Sequence, residues 1–135
     1  FDQLIGDDKP AWVPNKERLS IKQAVDLISQ AGGIAILAHP GRYFKYWPEL
    51  FKLFKEAGGM GVEVYYDYEK NMSHISKKQS DNMNAEAKKL AKKYELLESG
   101  GSDYHAPDKG ATLGVMQISS KVLEALEHAR KERKK

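Results

Sequence analysis

His39, Asp103 and His105 are the residues whose types and positions point to metal chemistry. His39 ends the apolar run Ile34-Ala35-Ile36-Leu37-Ala38 and is followed by Pro40-Gly41-Arg42. Asp103 and His105 lie in Gly100-Gly101-Ser102-Asp103-Tyr104-His105, just after Leu96-Leu97-Glu98-Ser99. They are two positions apart, a spacing that puts both side chains on one side of an extended segment. A carboxylate and an imidazole so placed can share a metal ion or bind adjacent ones, and the glycines ahead of them let the backbone approach a ligand closely. Two imidazoles and a carboxylate suit zinc, manganese or iron. The chain has no cysteine, so thiolate sites and disulfides are excluded.

Each of these residues also has a plainer reading. A histidine before proline at a strand end is often a structural hydrogen-bonding group, and Asp-x-His in a glycine-rich loop is often a turn. Glu63 sits inside the apolar run Gly61-Val62-Glu63-Val64-Tyr65-Tyr66. A carboxylate buried there needs a partner, whereas at a sheet edge it faces solvent. His74, in a polar stretch, and His128, in the basic terminal helix, read as surface residues.

The elements that must position these residues alternate between helix and strand. Ser20 with Gln23 three residues on is a capping box, and Ile21, Ala24, Val25, Leu27 and Ile28 fall on one helical face up to Gly32-Gly33. Residues 34–38 are short and apolar on both faces, the pattern of a buried parallel strand. A loop over 41–46 leads to a second helix over 48–57, and residues 61–66 form a second strand. A polar stretch over 67–76 precedes a long helix over 77–94, with Met83, Ala87, Leu90 and Ala91 inward. Residues 96–99 form a third strand and 115–118 a short fourth. Ser119 or Ser120 caps a last helix with Val122, Leu123, Leu126 and Ala129 inward. The fold class is therefore α/β, built of parallel βα units with right-handed crossovers. Three or four strands cannot close an eight-stranded barrel, which leaves an open sheet, a partial barrel or a fragment that pairs with something else.

The 135 residues suit one domain, with an irregular lead-in over 1–19 and the α/β unit over 20–135. Hydrophobic residues make up 41% and charged residues 30%, enough to bury a core. Net charge is +3, with much of the excess in Arg130 to Lys135, which reads as a solvated helix end rather than a nucleic-acid patch. No apolar run is long enough for a membrane span, and the first residues lack the basic head and apolar stretch of a signal peptide. A cysteine-free chain is compatible with a reducing cytoplasm. Starting on Phe1 rather than Met, the chain reads as a segment of a longer or processed protein.

The motifs in order resemble a known family. They are Gly32-Gly33-Ile34-Ala35-Ile36-Leu37-Ala38-His39-Pro40-Gly41-Arg42-Tyr43, Gly61-Val62-Glu63-Val64-Tyr65, Leu90-Ala91-Lys92-Lys93-Tyr94-Glu95-Leu96-Leu97 and Gly100-Gly101-Ser102-Asp103-Tyr104-His105. Over roughly residues 10–115 the sequence resembles the C-terminal portion of PHP (polymerase and histidinol phosphatase) metal-dependent phosphoesterases. The resemblance is strongest to the stand-alone bacterial branch that acts on nucleotides and short oligonucleotides. Ala-His-Pro followed by Gly-Ser-Asp-x-His, each after a strand, is a fairly specific pair, although either alone is weak.

The resemblance implies a partial PHP-type (β/α)7 barrel with a cluster of two or three divalent metal ions at the strand ends. It implies His39, Asp103 and His105 as ligands and metal-activated water attacking a phosphate ester. Arg42 becomes a candidate phosphate contact, Glu63 a group beside the cluster or on the substrate side, and His74 a weak substrate-side candidate. Arg42, Tyr43, Lys45, Tyr65 and Tyr66 either line a nucleotide site, with aromatics stacking on bases, or are plain loop and core residues.

The family's opening His-x-His motif and its next His, Asp and Glu ligands are not in this chain. The resemblance thus implies a fragment whose partner is the N-terminal half of the domain, poorly active by itself. Its open strand edges favour self-association. Glu98 and Ser99 also stand where the family more often has small or β-branched residues. The alternative is a non-catalytic module of the same fold that binds nucleotides or a partner.

Overall fold

A computed structural model describes residues 10–11, 18–107 and 111–133. Most of the lead-in over 1–19, including Trp12 and Val13, lies outside the described residues. In chain order the elements are α1 (Ile21–Gln30), β1 (Ile36–Leu37), a 3-10 helix (Pro40–Tyr46) and α2 (Trp47–Glu56). They continue with β2 (Gly61–Tyr65), α3 (Tyr68–Asn71), α4 (Lys77–Lys93), β3 (Leu97–Gly100) and α5 (Ser120–Glu132). The strands form one parallel sheet in the order β1-β2-β3, with Ile36 opposite Gly61 and Gly61 opposite Leu97. The α/β class and the parallel βα units are as the sequence predicts.

Local sequence explains the helix starts. The Ser20 hydroxyl accepts from the Gln23 N–H at 3.2 Å while the Gln23 side chain accepts from the Ser20 N–H at 2.9 Å, which satisfies two otherwise orphaned donors. Ser76 and Gln79 repeat the arrangement at the start of α4. At the other end of α1, Gly32 takes φ +75°, and the Gly33 N–H bonds the Ile28 carbonyl at 2.9 Å to close the helix.

The core lies between β2 and the helices α2 and α4. Trp47, Phe51 and Phe54 from α2 meet Val62 and Val64 from β2 and Ala87, Leu90 and Ala91 from α4. The alanines on α4 let that helix approach the sheet, while the rings on α2 fill the remaining volume. Gly59 leaves room for the Phe54 ring, with which a Cβ there would collide.

Five expectations change. β1 is only two residues long, because the Ala35 carbonyl turns to accept both Met60 and Gly61 N–H groups at the sheet's entry. The loop expected over 41–46 is a 3-10 helix, and α3 occupies part of the polar stretch. No fourth strand forms over 115–118; α5 lies against β3 instead, leaving Val115 exposed. On α5, Leu123 points outward and is 60% exposed, while Val122, Leu126 and Ala129 are half-buried. The end of α5 is tied back by Arg133, which donates to the Ser29 hydroxyl at 2.7 Å and the Gly33 carbonyl at 3.1 Å. Among the described residues, no helix is long and apolar enough to cross a membrane.

Phe51 is fully buried at the centre of this core. Phe51→Ala is expected to lower stability by about 3–5 kcal/mol in urea denaturation, whereas Leu123→Ala costs under about 1 kcal/mol. Equal effects would show that the core is not where these contacts place it.

Candidate metal centre at the strand ends

The ends of β1, β2 and β3 bring His39, Glu63, Tyr66 and Asp103 into one corner. His39 caps the 3-10 helix, and its N–H donates to Glu63 Oε2 at 2.6 Å. Glu63 is half-buried on β2, and this burial raises its carboxyl pKa above the usual range. The hydrogen bond from His39 works against that rise, and the nearby Asp103 charge adds to it. The His39 ring meets the Tyr66 ring edge-on, with centroids 5.6 Å apart. His39 Nδ1 is buried and has no hydrogen-bond partner among the described residues.

Asp103 follows β3. Its Oδ2 accepts from the Tyr66 hydroxyl at 2.7 Å. His105 is exposed at the rim, with Nδ1 2.7 Å from the Asp103 carbonyl oxygen and 3.7 Å from Asp103 Oδ1. A carbonyl only accepts, so Nδ1 carries the hydrogen and the neutral ring keeps a lone pair on Nε2.

The loop bearing His39 is held by groups remote in sequence. The Gly41 N–H donates to the Tyr68 hydroxyl at 2.8 Å, and Trp47 Nε1 donates to the Pro40 carbonyl at 2.6 Å. A Cβ at Gly41 would collide with the Tyr68 ring and Met83. Tyr68 in turn packs on Tyr66 at 4.7 Å, and burial pushes its hydroxyl pKa up to about 12.

A bulge in β2 allows the convergence. Glu63 pairs with Ser99 and Tyr65 with Gly100, so Val64 is an extra residue on β2. Val62 and Val64 face the core, and the Tyr65 hydroxyl turns to Glu98 Oε2 at 2.6 Å and Lys88 of α4 at 2.9 Å. Tyr66 is thereby returned to the side of Glu63. Strict alternation would have put residues 63 and 66 on opposite faces.

Among the sequence-derived candidates, His39, Glu63 and Asp103 meet here, and His105 joins through Asp103. Arg42 is exposed on the same loop, its Nη2 3.4 Å from the Asn71 carbonyl, and its charge acts on the Tyr66 hydroxyl. His74 is exposed with φ +69°, and no hydrogen bond among the described residues joins it to the corner. Tyr66 is fully buried and unable to stack on a base; its place is inside the corner. Its neighbours along the chain gave no sign of this, because the bulge has no glycine or proline to mark it.

The donor set fits a divalent ion in part. It offers an orphaned buried imidazole nitrogen, a carboxylate with one oxygen free of the tyrosine, and an imidazole whose tautomer leaves Nε2 available. Among the described residues, however, no group of three or more His, Asp or Glu side chains closes around a common point.

Known proteins with similar sequences and structures are phosphoesterases. The chain is 34% identical over 117 residues to the 5'-3' exoribonuclease Rnm of Escherichia coli strain K12, covering 84% of this chain and 36% of that protein. It is 36% identical over 113 residues to the 3',5'-nucleoside bisphosphate phosphatase of Chromobacterium violaceum, covering 82% and 36% respectively. The chain thus spans little more than a third of the curated relatives it matches. Its fold is that of a Bifidobacterium adolescentis crystal structure named for the metal-dependent phosphoesterases, with a TM-score of 0.65 at 21% identity, covering 93% of this chain and 41% of that one. No protein-family model matches the chain. The Ala-His-Pro and Gly-Ser-Asp-x-His motifs thus follow the two outer strands of a parallel sheet in a chain that is similar, over most of its length, to part of bacterial phosphoesterases.

Proposed function

We propose that the protein carrying this chain hydrolyses phosphate esters of nucleotides or short oligonucleotides, and that this segment supplies part of the metal site. The observation that carries the reading is the orphaned Nδ1 of His39, whose ring is joined to the Asp103 carboxylate through Tyr66. A buried imidazole nitrogen without a partner is costly unless something binds it. His39, Asp103 and His105 would hold the ion. A divalent ion, taken here as manganese, zinc or iron, supplies charge stabilisation and a water of lowered pKa when bound.

The share of the relatives that is matched supports a site completed by ligands from the rest of the protein, within a PHP-type (β/α)7 barrel. So does the absence of a closed three-ligand group among the described residues. In this reading the unit over 20–135 is one part of that barrel, and the apolar side chains exposed on α1 and α5 face the remainder or a second copy. The compartment we propose is the cytoplasm, in keeping with the cysteine-free sequence.

The chain's own residues have distinct tasks. Glu63 holds the His39 backbone, and with its Oε2 so committed it serves as a support rather than a ligand. Arg42, exposed beside the corner, offers a bidentate grip on phosphate. His74 stays outside the proposed site. The relatives' names, an exoribonuclease and a nucleoside bisphosphate phosphatase, support a nucleotide substrate. So do Tyr43, Phe44 and Tyr46 on the 3-10 helix, which are 55%, 55% and 65% exposed and flanked by Arg42 and Lys45. Exposed aromatics among cations suit stacking on bases of a single strand.

Titration calorimetry of the full-length protein with Mn²⁺ tests the metal reading. His39→Ala, Asp103→Ala and His105→Ala should each weaken binding by more than about tenfold, beyond the cost of disturbing a supporting group. Unchanged affinity in all three would sink the reading. If metal binds tightly but nucleotide esters are not turned over, the non-catalytic binding module is correct instead.

The stacking role has its own kinetic test. Phe44→Ala and Tyr46→Ala should each raise KM for a trinucleotide by about tenfold, as expected for losing one base stack. KM for p-nitrophenyl phosphate, which has no base, should stay within about twofold. A matched rise for both substrates would rule out stacking.

A further inference from the structure

We propose that Tyr66 is a positioning residue that sets the Asp103 carboxylate and the His39 ring relative to each other. The inference rests on the metal-site reading above and adds a residue to it. Tyr66 is fully buried, immediately after β2, and makes a contact in each direction. Its hydroxyl donates to Asp103 Oδ2 at 2.7 Å, and its ring abuts His39 at 5.6 Å. On another side it packs against Tyr68 at 4.7 Å, and its own carbonyl accepts from Asn84 Nδ2 of α4 at 2.8 Å. The ring is therefore held by the second strand, α3 and α4, and passes that rigidity to residues on the first and third strand ends.

Two of the residues it touches have backbones in unusual conformations. His39 has φ +29° and Asp103 has φ +53°, both in the left-handed region that side chains disfavour. His39 also precedes Pro40, where an extended conformation is the ordinary outcome. Such conformations persist only where the surroundings over-determine them. Tyr66 supplies a shared support for both.

The hydroxyl does more than fill space. By donating to Oδ2 it fixes the rotation of the carboxylate and leaves Oδ1 directed elsewhere, towards the rim where His105 Nδ1 lies 3.7 Å away. Groups that hold a metal's carboxylate ligand in this way typically contribute 10–100-fold in metal affinity.

Tyr66→Phe in the full-length protein removes the hydroxyl and keeps the ring. The expected result is a fall of about tenfold or more in Mn²⁺ affinity by calorimetry, with an altered electron paramagnetic resonance spectrum of the bound ion. A residue that only fills the core would lower the thermal midpoint and leave both readouts unchanged. Tyr66→Met fills the slot without a hydroxyl and serves as the test if the phenylalanine variant does not fold. Asp103→Ala separates the two levels of the argument. If it loses Mn²⁺ while Tyr66→Phe binds as wild type, the positioning role is wrong and the metal site stands. If Asp103→Ala itself binds as wild type, the metal site is wrong and this inference falls with it.

Discussion

β2 is the strand bonded on both sides, so its side-chain parity decides what can meet at the strand ends. Up to Glu63 it alternates in the ordinary way, with Val62 in the core and Glu63 facing His39. The extra residue at Val64 then places Val64 and Tyr65 in succession towards the helices, and Tyr66 comes back to the side of Glu63. Were β2 regular through Val64, Tyr66 would share the face of Val62 and Val64, and the hydroxyl that reaches Asp103 would point towards the helices. Glycine at position 100 is part of the same device. The bulge brings Tyr65 so close to β3 that a Cβ at Gly100 would overlap the Tyr65 backbone and Cβ.

Unusual backbone conformations elsewhere show what a merely structural one looks like. Glu95, at φ +50°, follows α4, and there the Leu96 N–H bonds the Ala91 carbonyl at 2.9 Å. That is the ordinary left-handed helix stop, and the closing bond accounts for it. His39 and Asp103 end strands, not helices, so no helix stop accounts for their φ values. What holds them is tertiary: Glu63 on the His39 N–H, the Tyr66 hydroxyl on the Asp103 side chain, and the Trp47 and Tyr68 hydrogen bonds along the loop. Each costs on the order of 1–3 kcal/mol, which the core between α2, β2 and α4 must offset.

Much of this was legible from residues alone, for identifiable reasons. The capping boxes at Ser20 and Ser76 depend on contacts three residues apart, so sequence spacing is enough to place them. The strands expected over 61–66 and 96–99 form as Gly61–Tyr65 and Leu97–Gly100, within a residue of where short runs after the helices place them. His39, Glu63 and Asp103 were legible as a group because strand ends of a parallel sheet gather side chains whatever the loops do. Long-range detail was not legible. The fourth strand failed because nothing in Val115-Met116-Gln117-Ile118 tells whether β3 offers it an edge, and α5 lies there instead. Leu123 reads as inward from helical periodicity, yet periodicity fixes only its position relative to Val122 and Leu126, not how far α5 is covered. Tyr66 reads as a stacking platform by residue type, and only the bulge shows that it is enclosed.

The corner also separates two carboxylates that look alike in sequence. Glu63 lies within β2 and Asp103 just past β3, close enough for the Asp103 charge to raise the Glu63 pKa. Glu63 spends Oε2 on a backbone N–H at 2.6 Å in a half-buried setting that raises its pKa, so its neighbours favour it as a fixed support for the His39 turn. Asp103 has its hydrogen bond from a neutral phenol, which orients one oxygen without cancelling the charge. A carboxylate held by a neutral donor keeps its attraction for a cation, whereas an arginine in the same place would pair with it and compete. Arg42, exposed on the His39 loop, contacts the Asn71 carbonyl at 3.4 Å and acts on the Tyr66 hydroxyl. That arrangement leaves one oriented negative charge and one exposed positive charge on the same corner, which is the charge distribution the proposed reading requires.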